Sequence, residues 1–384
     1  MKINWDNLSL PSVTFACGPA QMLPTVREMP LYQTFLERSH RADDISTHGL
    51  YRRATEELRT LMHIPEDYTV CFFAGGATIA MEAVLWSLTK DSLCGLSFGA
   101  FSKRWTEELP RRLPFPFRHT VCQPFGNDFF PAQQPDYSAG LILLTPNETS
   151  TGVQIPNRYL EDVWQFRGED TLVAWDTTSC AGGRELPAAS YDVQVFGLQK
   201  CFGAGGGTAG VILSPKAVAR ISEVKKMRTI PYALDLSLAA EQAKQFQTVN
   251  TPSTVNIWLC CQACQWMNKN GGIRAMDILC RTHAAYLEDW AAKSGYVAPM
   301  IEDELFRSYT TLTLRITHPQ IKDTLINNAL AATGLANLQD GIKKHRSVTA
   351  NSLRIACFPF VDTTGVTQYQ QLTASVDHII RHLI

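Results

Sequence analysis

The chain has 384 residues, of which 45% are hydrophobic and 18% charged, the balance of a folded protein with room for roughly two to three domains. Lys plus Arg number 35 against 36 for Asp plus Glu, so there is no basic field to hold nucleic acid or an anionic membrane. No apolar run is long enough to span a bilayer, the opening "MKINWDNLSLPSVTF" lacks the apolar core of a signal peptide, and a cytoplasmic location is expected.

In chain order, "YTVCFFAGG" followed by "TIAMEAVLWSL" reads as a strand, a glycine turn and a helix. "AGLILLTPNETSTG" is a buried strand ending in a polar loop. "TLVAWDTTSCAGG" and "YDVQVFGLQK" repeat that design. Continuous apolar strands separated by helix-length segments predict an α/β fold with a central, mostly parallel sheet covered on both faces. Ligands of such sheets bind beyond the carboxyl ends of the strands. After "FQTVNTPST" the texture changes to a long helical stretch from "NIWLCC" to "AAKSG", then the strands "YTTLTLRI" and "NSLRIACF" and a final helix, "QYQQLTASVDHIIRHLI". The expected division is a large domain over 16–255 and a smaller C-terminal α/β domain over 256–384 joined by residues 1–15.

The eleven cysteines are scattered and read as reduced thiols, mostly buried. Cys261 and Cys264 form the one Cys-x-x-Cys, but aliphatic and aromatic neighbours favour a core helix, and no second ligand pair stands nearby, so no metal is expected.

Lys200 ends an apolar run and precedes a glycine tract, "LQKCFGAGGGTAGVIL". "GGGTAG" matches the dinucleotide fingerprint, but that motif requires a helix next and "VILS" is strand-like, so the NAD reading fails on context. A lysine at a strand end either reaches out to water or supplies an amine in a dry place. Pyridoxal 5′-phosphate uses such an amine, forming a Schiff base with it. It also needs a carboxylate at its ring nitrogen, backbone N–H groups at a helix start for its phosphate, and a flat group over the ring. Asp176, the turn Gly75–Gly76–Ala77–Thr78 and Phe101 occupy strand-end positions where each could serve. Singly these are an ordinary helix cap, a turn and a core residue. Their joint occurrence favours the cofactor.

The motifs "FACGPAQMLPTVREM", "RSHRADD", "PNETSTGV", "LQKCFGAGGGTAGVIL", "TVNTPST" and "KKHRSVTANSLRIACF", in that order, resemble those of the class V, fold-type I PLP-dependent aminotransferases, and most closely the phosphoserine aminotransferase branch. The resemblance implies a Schiff base at Lys200, with Gln199 as its phosphate-side neighbour and Asp176 at the pyridinium. It implies cofactor contacts from Gly76, Ala77, Phe101 and Thr149. Asn250 and Thr251 match residues reaching the phosphate from the other subunit, so a homodimer with shared sites is expected. Arg354 matches the substrate-carboxylate arginine, and His40, Arg41, His345 and Arg346 match basic residues around the substrate's phosphate or second carboxylate. The implied reaction is ping-pong transamination between phosphoserine and 2-oxoglutarate, a step of serine biosynthesis. Three departures stand out: Phe101 where a tryptophan is usual, Thr78 where an arginine is frequent, and "IACFPF" after Arg354. The alternatives are an alanine–glyoxylate or serine–pyruvate enzyme on the same fold, and a non-catalytic binding protein that keeps the fold.

Overall fold

The computed structural model describes residues 3–5, 8–28, 49–122 and 134–383. Helix α1 (Leu50–Met62) precedes β1 (Thr69–Ala74), α2 (Gly76–Leu88) and β2 (Ser92–Leu96). A short helix α3 (Ala100–Lys103) leads to the edge strand β3 (Arg118–Cys122) and to β4 (Leu141–Leu144). A two-stranded hairpin, β5 (Asn147–Glu148) with β6 (Val153–Gln154), is followed by α4 (Asn157–Phe166), β7 (Leu172–Asp176), β8 (Val193–Gly197) and β9 (Thr208–Leu213). Helices α5 (Pro215–Met227), α6 (Leu236–Ala243), α7 (Thr254–Lys269) and α8 (Gly272–Ser294) come next. Strands β10 (Val297–Pro299) and β11 (Thr311–Ile316), helix α9 (Asp323–Ala331), β12 (Ser352–Ala356) and helix α10 (Thr367–Leu383) complete the order.

The large sheet runs β1-β9-β8-β7-β4-β2-β3. Pairing is parallel from β8 to β3 and antiparallel on both sides of β9, so β9 alone is reversed and β1 points the same way as β8. Strands β4, β7, β8 and β9 are buried along their whole length, as continuous apolar runs with both faces covered must be. The edge strand β3 instead alternates exposed and covered residues. A separate antiparallel sheet, β10-β11-β12, carries the C-terminal part.

Local chemistry sets the element ends. Ser214 caps α5, its Oγ accepting the Ala217 N–H at 3.0 Å, with Pro215 at the first helical position. Asp235 caps α6 in the same way through Ser237. The long helical stretch divides in two at Gly271 and Gly272, whose φ angles of 97° and 68° suit only glycine. Cys261 and Cys264 are fully buried in α7. The strand expected after the glycine tract is β9.

Buried side chains form two clusters. One surrounds the large sheet and takes in α7 and the start of α8, through Met276. The other joins Val13, Phe15 and Cys17 to the rest of α8, the small sheet and α10. Among the described residues no helix is long and apolar enough to cross a membrane.

Candidate active site

Five turns leave the same edge of the large sheet, because β1, β2, β4, β7 and β8 all point that way. They bring Gly76, Ala77, Phe101, Thr149, Asp176, Gln199 and Lys200 to the lining of one cavity of about 250 Å³. The turn after β1 starts α2. Its N-cap is Gly75, with φ 104°, and no side chain caps the helix, so the first N–H groups of α2 are left to the cavity. The reversed strand β9 enters beside this turn: Gly75 N–H donates to Gly207 O at 2.9 Å, and Gly207 also lines the cavity. Asn256 of α7 holds the glycine tract, its Oδ1 accepting Gly205 N–H and its Nδ2 donating to Gly206 O and Thr208 Oγ1.

Lys200 is 6% exposed and donates from Nζ to Thr149 Oγ1 at 2.6 Å. Burial pulls its amine below the usual lysine range; Cys17 and Asp176 oppose that and Arg354 adds to it. Asp176 closes β7 on the neighbouring strand. Burial pushes its carboxyl up to about 6, although the Thr178 hydroxyl and N–H both donate to Oδ1, at 2.6 and 3.0 Å, and Lys200 lies close enough to favour the charged form. A carboxylate this dry is short of positive charge. The cavity therefore combines a desolvated amine, an undersupplied carboxylate and an open helix N-terminus, a set that suits a phosphorylated cation-bearing ring.

Phe101 lies 5.1 Å from Lys200 Nζ, measured to its ring centroid. Its helix α3 is fastened by Glu148, a fully buried side chain that sequence reasoning passed over inside "PNETSTGV". Glu148 Oε2 accepts the N–H groups of Phe101 and Ser102 at 3.2 and 2.7 Å, and Oε1 accepts the N–H and hydroxyl of Ser150 at 2.9 and 2.7 Å. Gly99 makes the approach feasible, since a Cβ there would fall 2.3 Å from Glu148 Cγ. Thr178 was also missed; the spacing Asp-x-Thr, which closes a side-chain turn, was the available signal.

From the three-stranded sheet, Arg354 on β12 donates to Thr149 O at 3.4 Å, and its buried Nε has no hydrogen-bond partner among the described residues. The His345 ring stands 5.3 Å from that of Phe101, and burial, then Arg354, hold its imidazole below the usual histidine range. Arg346 is exposed beside it. Asn250 and Thr251 are exposed and do not line the Lys200 cavity of their own chain; Asn250 lines a separate cavity with Gly75. His40 and Arg41 lie outside the described residues.

No family model matches the chain. It is 30% identical over 377 residues to a phosphoserine aminotransferase of Rhodococcus opacus, covering 96% of this chain and 95% of that one. The structure of a phosphoserine aminotransferase from Cytophaga hutchinsonii superposes with a TM-score of 0.82 at 25% identity, over 94% of this chain and 97% of the other. An alanine–glyoxylate aminotransferase from Nostoc shares the fold, with a TM-score of 0.78 at 17% identity over 99% and 100%. Fold and cavity define the class as a fold-type I enzyme dependent on pyridoxal 5′-phosphate, an aminotransferase of class V. Within that class the chain belongs to the phosphoserine aminotransferase family.

Proposed function

We propose that this aminotransferase moves the amino group between phosphoserine and 2-oxoglutarate, in the cytoplasm, as a step of serine biosynthesis. The observation that carries the reading is that two C-terminal residues, Arg354 and His345, reach residues that line the Lys200 cavity. Arg354 bonds the same residue, Thr149, that accepts from Lys200. His345 packs on the same ring, Phe101, that lies against Lys200. One carboxylate grip and one further basic group suit a substrate with anions at both ends.

The cavity fits the cofactor: the uncapped start of α2, the buried amine and the dry carboxylate match its phosphate, aldehyde and ring nitrogen. Bound, it supplies an electron sink for the substrate carbon. In this reading Lys200 would hold the cofactor through its amine, and the same amine would move the proton at the substrate Cα. Its lowered pKa raises the fraction of neutral amine available for that task. Asp176 would pair with the ring nitrogen and favour its protonated form, and a cation there would relieve the cost of its buried charge. Gly76 and Ala77 give backbone N–H groups to the phosphate. Gln199 and Thr149 border the ring's edge, and Phe101 covers its face. Arg354 grips the substrate carboxylate with a planar fork. His345, Arg346, His40 and Arg41 surround the distal anion. The proposed overall exchange is balanced: one amino acid would become its keto acid while a second keto acid would become an amino acid.

The exposure of Asn250 and Thr251, away from their own cavity, supports their assignment to the site of a second subunit, and hence a homodimer with shared sites. Mixing an Asn250→Ala chain with a Lys200→Ala chain restores activity if sites are shared; complete failure to complement would refute it. The two hydrophobic clusters support the division into a large domain, 16–255, and a small one, 256–384 with 1–15, with α7 packed into the larger core.

One observation favours the non-phosphorylated alternative: the cavity position at the start of α2 is the neutral Thr78. Cofactor-loaded enzyme mixed separately with phosphoserine, alanine and serine decides by the change in cofactor absorbance. A change with alanine and none with phosphoserine overturns the first reading.

A further inference from the structure

Arg104 is the cation of this cavity that neither motif nor strand-end logic assigned. It lines the cavity with Phe101, Thr149 and Lys200, and its Cζ stands 5.6 Å from the Phe101 ring centroid. Lys200 Nζ and the His345 ring lie 5.1 and 5.3 Å from that same ring. The phenyl is thus the hub around which the amine, the imidazole and this guanidinium are grouped.

The two buried acids nearby are committed elsewhere, and Glu108 of the same turn is exposed to water. Glu107 takes Ser97 Oγ at 2.6 Å and Arg111 at 3.4 Å, and Glu148 is saturated by Phe101, Ser102 and Ser150. Arg104 forms no ion pair among the described residues. An arginine half-withdrawn from water without a counter-charge is costly, and an anionic ligand relieves that cost.

Its mount is rigid. Past Lys103 the backbone widens into a single π turn, Arg104–Glu108, closed by Leu109 N–H to Arg104 O at 2.9 Å. Trp105 and Thr106 are fully buried behind it, and Glu148 pins the preceding turn. The position is preorganised, which limits the entropy lost on binding.

We propose that Arg104 binds the distal anion of the amino-acid substrate, phosphate or side-chain carboxylate, and so sets preference for doubly anionic substrates in place of the cation that Thr78 does not provide. This rests on the aminotransferase reading and refines its substrate.

The test uses cofactor-loaded wild type, Arg104→Gln and Arg104→Lys, with kcat and KM for phosphoserine, glutamate and alanine. In Arg104→Gln the kcat/KM ratio of phosphoserine to alanine falls by about tenfold or more, through KM, as expected for one lost charge-assisted bond, and Arg104→Lys recovers part of it. An unchanged ratio overturns the proposal. If wild type ignores phosphoserine, the substrate reading falls on its own. The glutamate-to-alanine ratio then decides: a fall of similar size sustains the role of Arg104, and no change ends it. Inorganic phosphate titrated calorimetrically into the loaded enzyme reads binding without turnover. Its Kd rises in Arg104→Gln, and an equal Kd counts as refutation. An unshifted cofactor spectrum in the variants separates these outcomes from misfolding.

Discussion

The floor of the cavity and its rim are built on opposite terms. On the floor, Asp176, Thr149 and Lys200 sit at or just past the ends of buried strands, nearly without solvent, and hold one another or near neighbours by short hydrogen bonds. On the rim, Phe101, Arg104, His345 and Arg346 ride on a short helix, the turn after it and a loop before β12, partly in water, and the two arginines lack carboxylate partners among the described residues. The floor is costly to ionise and therefore tuned; the rim is easily altered and therefore selective. In the proposed reading, chemistry common to many transaminations belongs to the first, and substrate choice to the second.

The sharpest test of the contrast removes the amine. Lys200→Ala is expected to lower kcat at least about 10³-fold and abolish the borohydride-trapped cofactor adduct, with little effect on secondary structure by circular dichroism. Retention of the adduct would move the reactive amine elsewhere. Asp176→Asn comes next, with activity down about 10²- to 10³-fold in the loaded enzyme.

The same substitution should have the reverse effect on the cofactor-free protein. Asp176 titrates near 3.8 when unfolded and near 6 when folded, so the folded state binds the proton more tightly. The stability it contributes is complete below pH 4 and is lost as the pH rises through about 6, by roughly 3 kcal/mol in total. Asp176→Asn is therefore expected to raise the melting temperature of the cofactor-free protein at pH 8 and to bring no gain at pH 4. Denaturant melts at the two pH values would expose an error of sign.

On the mount between floor and rim, Glu148→Gln sets an amide against backbone N–H donors in a dry place. It is expected to cost about 2–3 kcal/mol of stability, measured by chemical denaturation, and to loosen Phe101. The smallest effect belongs to the rim. His345→Ala should leave cofactor absorbance intact and raise KM for phosphoserine about threefold to tenfold, and an equal rise for alanine would remove His345 from the distal-anion role.

Much of the floor was legible because its signals are local. An apolar run marks a buried strand, and an ionisable residue at its end marks the ligand-facing edge, which is how Lys200, Asp176 and the Gly75–Gly76 turn were found. The hairpin β5–β6 was not foreseen, since two-residue strands carry no periodicity. Glu148 was hidden because its partners, Phe101 and Ser102, lie 47 and 46 residues away. Arg104 was hidden because in "SFGAFSKRW" it reads as one surface charge among two. Only the burial of Trp105 and Thr106 behind it decides which way it faces.

The linear code determined which segments are strands, which turns carry reactive groups and the order in which they occur, because hydrophobic patterning and turn chemistry act over a few residues. Tertiary structure alone decided that these turns meet. Strands pair in the spatial order β1-β9-β8-β7-β4-β2-β3, set by long-range packing and hydrogen bonding that no short window contains. That pairing brings an amine, a carboxylate and an uncapped helix start to a single cavity.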